Sequence, residues 1–168
     1  DVFEDGWASE DTAAVTESIA AARDEAVAHD AHLFVGEFGN DPRSERGALY
    51  IDTCLEAFDA MQASWAIWLY EEHSQDSWGL WDEGDVAHTR GALREAAADQ
   101  LARGFPIATA GEVSMIGWDP VARVLAMVVT ETTGGVHVMS APARVWPEGV
   151  AVQCGGAPLT EFEASPGR

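Results

Sequence analysis

Two short apolar runs, HLFVGEFGN at 32–40 and SWAIWLY at 64–70, each follow a segment with helical spacing. A continuous apolar run of this length is typical of a strand that is covered on both faces, as in a parallel sheet. Parallel strands that are joined by a helix are usually neighbours in the sheet. The order helix, strand, helix, strand therefore predicts two units of an α/β fold in the first part of the chain.

Three helices are predicted from apolar spacing and from signals at their ends. The alanine-rich segment 12–29 has Asp11 as a candidate N-cap, and the segment 45–61 carries an apolar stripe. A third helix is predicted over 86–102, with Asp85 as its cap and with glycine and proline shortly after its end.

The hydrophobic period changes beyond Phe105. The four short runs EVSMIGW, RVLAMVVTE, GVHVMSAP and GVAVQCGG predict strands, because DP, GG and PEG turns separate them. The second of these runs is apolar on both faces and needs cover on both sides, which suits a small sandwich. We therefore predict a boundary near Gly104, with residues 1–104 forming the α/β part and residues 105–168 forming an antiparallel β-sandwich domain.

The net charge of the chain limits the classes of molecule that it is expected to bind. The 168 residues include 29 acidic side chains against nine basic ones, all arginine, and the net charge is −20. This charge opposes binding to nucleic acid and to anionic lipid surfaces, so no nucleic-acid partner is expected. Cys54 and Cys154 give neither a CxxC pair nor a disulfide framework. Because metal-ligand spacings and nucleotide-binding motifs are also lacking, no metal and no cofactor is expected. No apolar run is long enough to predict a membrane span.

Glu37 is the candidate catalytic residue. It stands at the carboxyl end of the first apolar run, between two glycines, where barrel enzymes keep their chemistry. On the second strand Trp68 and Tyr70 share one face and Trp65 takes the other, so Trp68 can present its ring beside Glu37. A flat indole beside a carboxylate suits a sugar ring. The alternatives are a strand-end glutamate held by an ion pair and a tryptophan that only packs the core.

The motifs GEFG, WAIWLYEE, WGLWDEG and RGFPIATAG, followed by VHVMSAPARVWPEGVAVQCGG, resemble the carboxyl-terminal half of glycoside hydrolase family 5. The resemblance covers nearly the whole chain, and it is greatest to the endoglycoceramidase-like branch of glycolipid glycosidases. It implies an α/β plus all-β architecture: the last two βα units of a (β/α)8 TIM barrel, strands seven and eight, followed by a small antiparallel β-sandwich.

The resemblance also implies site roles and a retaining mechanism. Glu37 matches the nucleophile on strand seven. The candidate substrate-binding residues are Trp68 as the sugar platform, Trp65 as a second aromatic, Tyr70 beside the platform, and Trp78, with Trp81, toward the aglycone. For the two loop tryptophans, packing of the loop onto the barrel is the alternative.

One part of the family pattern has no counterpart. The acid/base glutamate follows an asparagine on strand four, and the chain is expected to begin near helix six. A glycosidase with a single catalytic carboxylate lacks half of its chemistry, so we predict that this chain alone is inactive. The carboxylates after strand eight, Glu71, Glu72 and Asp76, are interpreted as a solvated rim, and His73 as exposed or substrate-binding.

Several alternatives for the partner stay open at this stage. The leading hypothesis is a glycolipid or another hydrophobic β-glycoside, and the second is a polysaccharide such as cellulose or mannan. A third is that residues 105–168 bind carbohydrate or contact lipid surfaces without catalysis, although a structural buttress is favoured. A secreted or extracellular enzyme is expected from the resemblance, and the sequence does not fix the oligomeric state.

Overall fold

The computed structural model describes residues 11–71, 78–85, 89–131 and 134–163. Within these ranges the chain is a mixed α/β fold with three helices: α1 (Asp11–Ala28), α2 (Glu45–Met61) and α3 (Glu95–Leu101). The strands are β1 (Phe34–Phe38), β2 (Ser64–Ile67), β3 (Trp81–Glu83), β4 (Arg90–Leu93), β5 (Phe105–Ala108), β6 (Gly111–Asp119), β7 (Val124–Glu131), β8 (Val138–Ser140), β9 (Gln153–Cys154) and β10 (Ala157–Pro158). None of these helices is long and apolar enough to cross a membrane.

Strands β1 and β2 form a parallel pair, and α2 is the crossover between them. Phe34 is the register partner of Ser64 and Phe38 is that of Ile67, with a register shift between the two pairs. The predicted order of helix, strand, helix and strand is confirmed. Helix α2 has its predicted bounds, whereas Asp11 is the first residue of α1 instead of its cap.

Local chemistry explains where α2 begins and ends. The Ser44 hydroxyl accepts the backbone N–H of Gly47 at 2.9 Å, which satisfies one of the free donors of the first turn. At the other end Gln62 has a left-handed backbone with φ of 55°, a common way to end a helix.

The core lies between α2 and the β1–β2 pair. Its buried members are Phe38, Ile51, Cys54, Leu55 and Phe58. The ring of Phe38 meets that of Phe58 edge-on at 4.9 Å and that of Trp65 at 5.5 Å between centroids. Burial raises the pKa of the Cys54 thiol to about 11, so this side chain stays protonated and acts as a small apolar residue.

The prediction of a helix over 86–102 is wrong in its first part. Strand β4 pairs with β3 in an antiparallel hairpin, and α3 begins only at Glu95, with Arg94 and not Asp85 at the cap position. The Arg94 guanidinium donates to the Asp82 carboxylate at 2.6 Å and to the Gly79 carbonyl at 2.9 Å. These contacts hold Arg94 against residues far from it in the sequence, and the apolar spacing could not reveal them. Residues 86–88 lie outside the described ranges.

The β half contains antiparallel strand pairs, as the change in hydrophobic period predicts. In the described part they are β5–β8, β6–β7 and β9–β10, each two-stranded. The Asp119 carboxylate accepts the N–H groups of Val121 and Ala122 at 2.9 and 2.8 Å, which closes the turn between β6 and β7. That hairpin is confirmed, whereas strand β5 is not among the predicted strands. The sandwich arrangement stays a prediction.

Two arginine side chains pair with carboxylates of α2 and α3. Arg103 is 6% exposed and its Nη2 lies 2.8 Å from the Asp59 carboxylate of α2. Arg144, in the segment after β8, pairs with Asp99 at 2.7 Å and with Glu95 at 2.8 Å on α3. Burial raises the pKa of Asp59 although Arg103 opposes the effect, and burial lowers the pKa of Arg103. The Arg144 pairs connect the β half to α3, and the Arg103 pair holds the chain just before β5 on α2.

Substitution of the central phenylalanine tests this core. Phe58 is 1% exposed, so Phe58→Ala should lower the free energy of unfolding by about 3–5 kcal/mol, measured by urea denaturation. Phe34→Ala is the matched control, because Phe34 is 62% exposed and should cost less than about 1 kcal/mol. Equal costs for the two variants would contradict the placement of the core.

Candidate active site

The carboxyl ends of β1 and β2 meet at one edge of the parallel pair. Glu37 is the penultimate residue of β1, and Trp68 follows the last residue of β2. The backbone N–H of Trp68 donates to the carbonyl of Phe38 at 2.7 Å, which joins the chain beside Glu37 to the chain at Trp68. The peptide bond between Trp68 and Leu69 is cis. The backbone therefore brings together the two strand ends that carry the predicted nucleophile and the predicted platform.

The two strand ends combine buried and exposed side chains. Phe38 is 5% exposed and packs into the core, whereas Glu37, its neighbour in β1, is exposed. A register shift between Val35 and Phe38 interrupts the regular alternation of β1 at this point. Trp68 is 39% exposed and Tyr70 is 56% exposed. Trp65 instead contacts the Phe38 ring and packs against the core. Trp65 thus lies against the core, whereas Trp68 and Tyr70 are exposed. The prediction of a strand over 64–70 is wrong at its end, because β2 stops at Ile67 and these two residues lie beyond it.

Gly39 allows the chain after β1 to lie close to the backbone at Trp68. A Cβ atom at this position would collide with the backbone carbonyl of Trp68 and would lie 3.5 Å from the Trp78 ring. The half-buried Trp78 therefore lies beside the chain that leaves β1. The second glycine of the GEFG motif is the sequence signal for this contact, which motif reasoning used only to bracket Glu37.

The loop after β1 carries an acidic residue that sequence reasoning did not consider. Asp41 accepts hydrogen bonds from the Arg43 backbone N–H at 2.9 Å and from the Arg43 guanidinium at 3.0 and 3.3 Å. Burial by itself would raise the pKa of Asp41, but the bonds from Arg43 and the charge of Arg94 more than offset it, so the pKa is lowered below 3.8. The influence of Arg94 shows that this loop lies near the β3–β4 hairpin.

An aromatic and arginine cluster follows the carboxyl end of β2. Trp81 donates its backbone N–H to the Tyr70 carbonyl at 3.1 Å, so β3 lies beside the chain that follows β2. The Arg90 guanidinium donates to the Tyr70 hydroxyl at 2.6 Å and stacks over the Trp81 ring at 4.9 Å. Sequence reasoning missed Arg90 because it assigned this residue to a helix.

The remaining candidates have simple placements. Glu71 is half-buried and its backbone forms an isolated bridge with Trp81. Glu72, His73 and Asp76 lie outside the described residues. Over the part of the chain that the structure describes, no three histidine, cysteine or acidic side chains form a cluster that could hold a metal ion.

Gly39→Ala tests the close approach of the two strand ends. The added methyl collides with the Trp68 carbonyl, so we expect the unfolding free energy to fall by about 1–3 kcal/mol and the tryptophan fluorescence to change. Gly36→Ala is the control, because its Cβ meets only the Phe34 ring at an ordinary 3.7 Å. Unchanged stability and fluorescence in Gly39→Ala would contradict the described backbone.

Arg43→Ala tests the electrostatics of the loop. Removing the guanidinium should raise the pKa of Asp41, measured by carboxyl NMR titration, while Arg23→Ala in α1 should leave it unchanged. A lowered pKa stabilises the fold above the unfolded value near 3.8, and this contribution disappears as the pH falls through the folded value. The acid-dependent loss of stability should therefore be smaller in Arg43→Ala. An unchanged Asp41 titration would show that Arg43 does not hold this carboxylate.

Comparison with known proteins identifies the fold. No protein-family model and no curated protein matches the sequence. A structure of endo-glycoceramidase II from Rhodococcus sp. in complex with a cellobiose-like imidazole matches with a TM-score of 0.59 at 18% identity, over 80% of this chain and 29% of that one. Two more structures of that protein, a lactosyl-enzyme intermediate and a five-membered iminocyclitol complex, match with TM-scores of 0.45 and 0.43 at 19% identity, each over 74% of this chain and 37% of that chain.

The match with a TM-score of 0.59 confirms the resemblance to endoglycoceramidases at the level of the fold. The chain spans less than a third of the length of the structure with the higher TM-score. The chain thus has the fold of one part of an endoglycoceramidase structure.

Proposed function

We propose that this chain forms the carboxyl-terminal part of a retaining glycoside hydrolase of family 5, with Glu37 as the nucleophile. The observation that carries the proposal is the parallel pairing of β1 and β2, which brings the exposed Glu37 and the partly exposed Trp68 to one sheet edge. In barrel enzymes the carboxyl ends of the strands are where catalytic residues lie. The fold similarity to an endoglycoceramidase supports the same reaction class.

The proposed reaction is a double displacement. The Glu37 carboxylate attacks the anomeric carbon, and the bond from that carbon to the leaving-group oxygen breaks as a second carboxylic acid protonates the oxygen. The second carboxylate then takes a proton from water, the water oxygen attacks the anomeric carbon, and the bond to Glu37 breaks. Trp68 would support the sugar by stacking its ring on the C–H face.

The second carboxylate is proposed to come from outside this chain. Retention needs two carboxyl groups about 5–5.5 Å apart, and the family resemblance assigns the partner of Glu37 to an earlier barrel strand. We propose that β1 and β2 are strands seven and eight of a (β/α)8 barrel. The 62% exposure of Phe34 on β1 supports this, since further strands would cover such a side chain.

The proposed substrate is a glycosphingolipid or a related hydrophobic β-glycoside. The endo-glycoceramidase II structure with the higher TM-score holds a cellobiose-like imidazole, a disaccharide-like ligand, and the name of that protein refers to a glycolipid. Trp68, Tyr70 and Trp78 give this chain aromatic surface at and beyond the same strand ends. A cellulase or mannanase type of substrate is the alternative, and the relative rates on a glycolipid and on a soluble glucan separate the two.

The β half, residues 105–168, is proposed to buttress the barrel as a small sandwich. The ion pairs of Arg144 with Glu95 and Asp99 support this role because they tie that half to α3. Docking of the β half on lipid or carbohydrate stays an alternative prediction, and so does secretion of the enzyme.

Covalent labelling tests the nucleophile. In the complete protein that contains this chain, a 2-fluoroglycoside should add one glycosyl unit to Glu37, seen by mass spectrometry of the peptides. Glu37→Gln should take up no label and should lose about 10³-fold or more of the turnover of an aryl β-glucoside. Glu56→Gln is the control, because Glu56 is exposed on α2 and should label as the natural protein does.

The outcome on the 168-residue chain by itself completes this test. The chain should show no turnover of the aryl glucoside, because it supplies only one of the two carboxylates. Turnover that disappears in Glu37→Gln would contradict the external acid/base residue, and label on another side chain would contradict the role of Glu37.

A further inference from the structure

Arg90 is held in an unusual way for an arginine of this chain. Its guanidinium carbon lies 4.9 Å from the centroid of the Trp81 ring and 5.8 Å from that of Tyr70. One of its Nη1–H groups donates to the Tyr70 hydroxyl at 2.6 Å. We call Tyr70, Trp81 and Arg90 the arginine clamp.

The clamp holds a positive charge on aromatic rings instead of on a carboxylate. By contrast, an acidic side chain pairs with each of Arg23, Arg43, Arg94, Arg103 and Arg144. Arg90 forms no ion pair within the part of the chain that the structure describes, although Glu83 is its register partner on β3. In a chain with 29 acidic residues, this exposed guanidinium is therefore directed by Trp81 and Tyr70.

The arginine clamp is suited to binding an oxyanion. A guanidinium has five N–H donors in a rigid plane, and the Tyr70 hydroxyl occupies one of them. Stacking on Trp81 fixes the plane while its edge stays able to form two parallel bonds to a carboxylate or a sulfate. An aromatic partner does not neutralise the positive charge of an arginine, whereas a carboxylate partner would.

The position of the clamp relates it to the candidate active site. Tyr70 lies two residues after Trp68, and the N–H of Trp68 is bonded to the carbonyl next to Glu37. Trp81 continues the hydrogen bonding from Tyr70 on the neighbouring strand. A glycoside that is stacked on Trp68 can therefore extend toward Arg90 through groups attached to its sugars.

We propose that Arg90 determines specificity by binding an oxyanion on the sugar part of the substrate, so that acidic glycosides are preferred over neutral ones. This proposal rests on the proposed function, because it takes the strand ends as a sugar site. Because the net charge of −20 repels an acidic ligand, a guanidinium at the binding site is needed to offset this repulsion locally. The oxyanion can be the carboxylate of an acidic sugar or the sulfate of a sugar ester.

Binding to the 168-residue chain tests the proposal without relying on hydrolysis. The probes are methyl β-glucuronide, methyl β-glucoside 6-sulfate and neutral methyl β-glucoside, titrated while the NMR signals of the Arg90 side chain and the Trp81 indole are followed. At least one acidic probe should bind about tenfold or more tightly than the neutral one, since hydrogen bonds to charged groups are the strong ones. The acidic probe that binds identifies carboxylate or sulfate as the ligand.

The variants separate recognition from structure. Arg90→Gln should remove the preference for the acidic probe, Arg90→Lys should retain only part of it, and Arg23→Gln, in an exposed pair on α1, should keep all of it. Thermal unfolding of each variant shows whether it has folded, and about 0.5 M salt should weaken the acidic probe more than the neutral one. Equal binding of all three probes, no binding of either acidic probe, or a preference that persists in Arg90→Gln would overturn the proposal.

The two proposals fail in different ways. Binding of the acidic probe that depends on Arg90, together with no label on Glu37 in the complete protein, would contradict the hydrolase and leave the anion site. Label on Glu37 with no effect of Arg90→Gln on probe binding would leave the hydrolase and contradict the role of Arg90.

Discussion

The packing of Phe38 against Phe58 and Trp65 is the interaction on which the candidate site depends. The Phe38 ring lies in the core with edge contacts of 4.9 and 5.5 Å, and its carbonyl accepts the N–H of Trp68. Glu37, the neighbour of Phe38 in β1, is exposed. Phe38 thus anchors the end of β1 in the core and holds the backbone at Trp68 beside it.

The β3–β4 hairpin is the second support of the site. Arg94 joins the hairpin to α3 by pairing with Asp82, and its charge also lowers the pKa of Asp41 in the loop after β1. The hairpin carries Arg90 to the Tyr70 hydroxyl. The surroundings of the strand ends are therefore built from three separate segments, and Arg43, Arg90 and Arg94 supply side-chain contacts within and between them. In a strongly acidic chain each arginine has many carboxylates to choose from, so the contacts that form are set by geometry and not by the number of acids.

Burial determines how much the ion pairs of Arg103 and Arg144 contribute to stability. The Arg103–Asp59 pair is nearly closed to solvent, and the loss of hydration offsets much of the attraction, as the shifted pKa values of both groups indicate. Such a pair adds little net stability, but any arrangement that leaves one of the two charges buried without its partner is strongly destabilised. The pairs of Arg144 are more exposed and are individually weak. Together they orient the β half more than they stabilise it.

The sequence by itself determined helix α2, the parallel order of β1 and β2, the hairpin closed by Asp119, and Glu37 and Trp68 at one sheet edge. These follow from local information, namely hydrophobic period, capping and turn residues, and the alternation of a strand. Only the tertiary structure decided that residues 90–93 form a strand, that Arg90 lies on Trp81, and that Gly39 meets the Trp68 carbonyl. The apolar spacing over 86–102 is compatible with a helix, and the strand pairing that overrides it joins residues seven and twelve positions apart. The helix propensity of a segment does not include the energy of such contacts, because they form only when the chain folds.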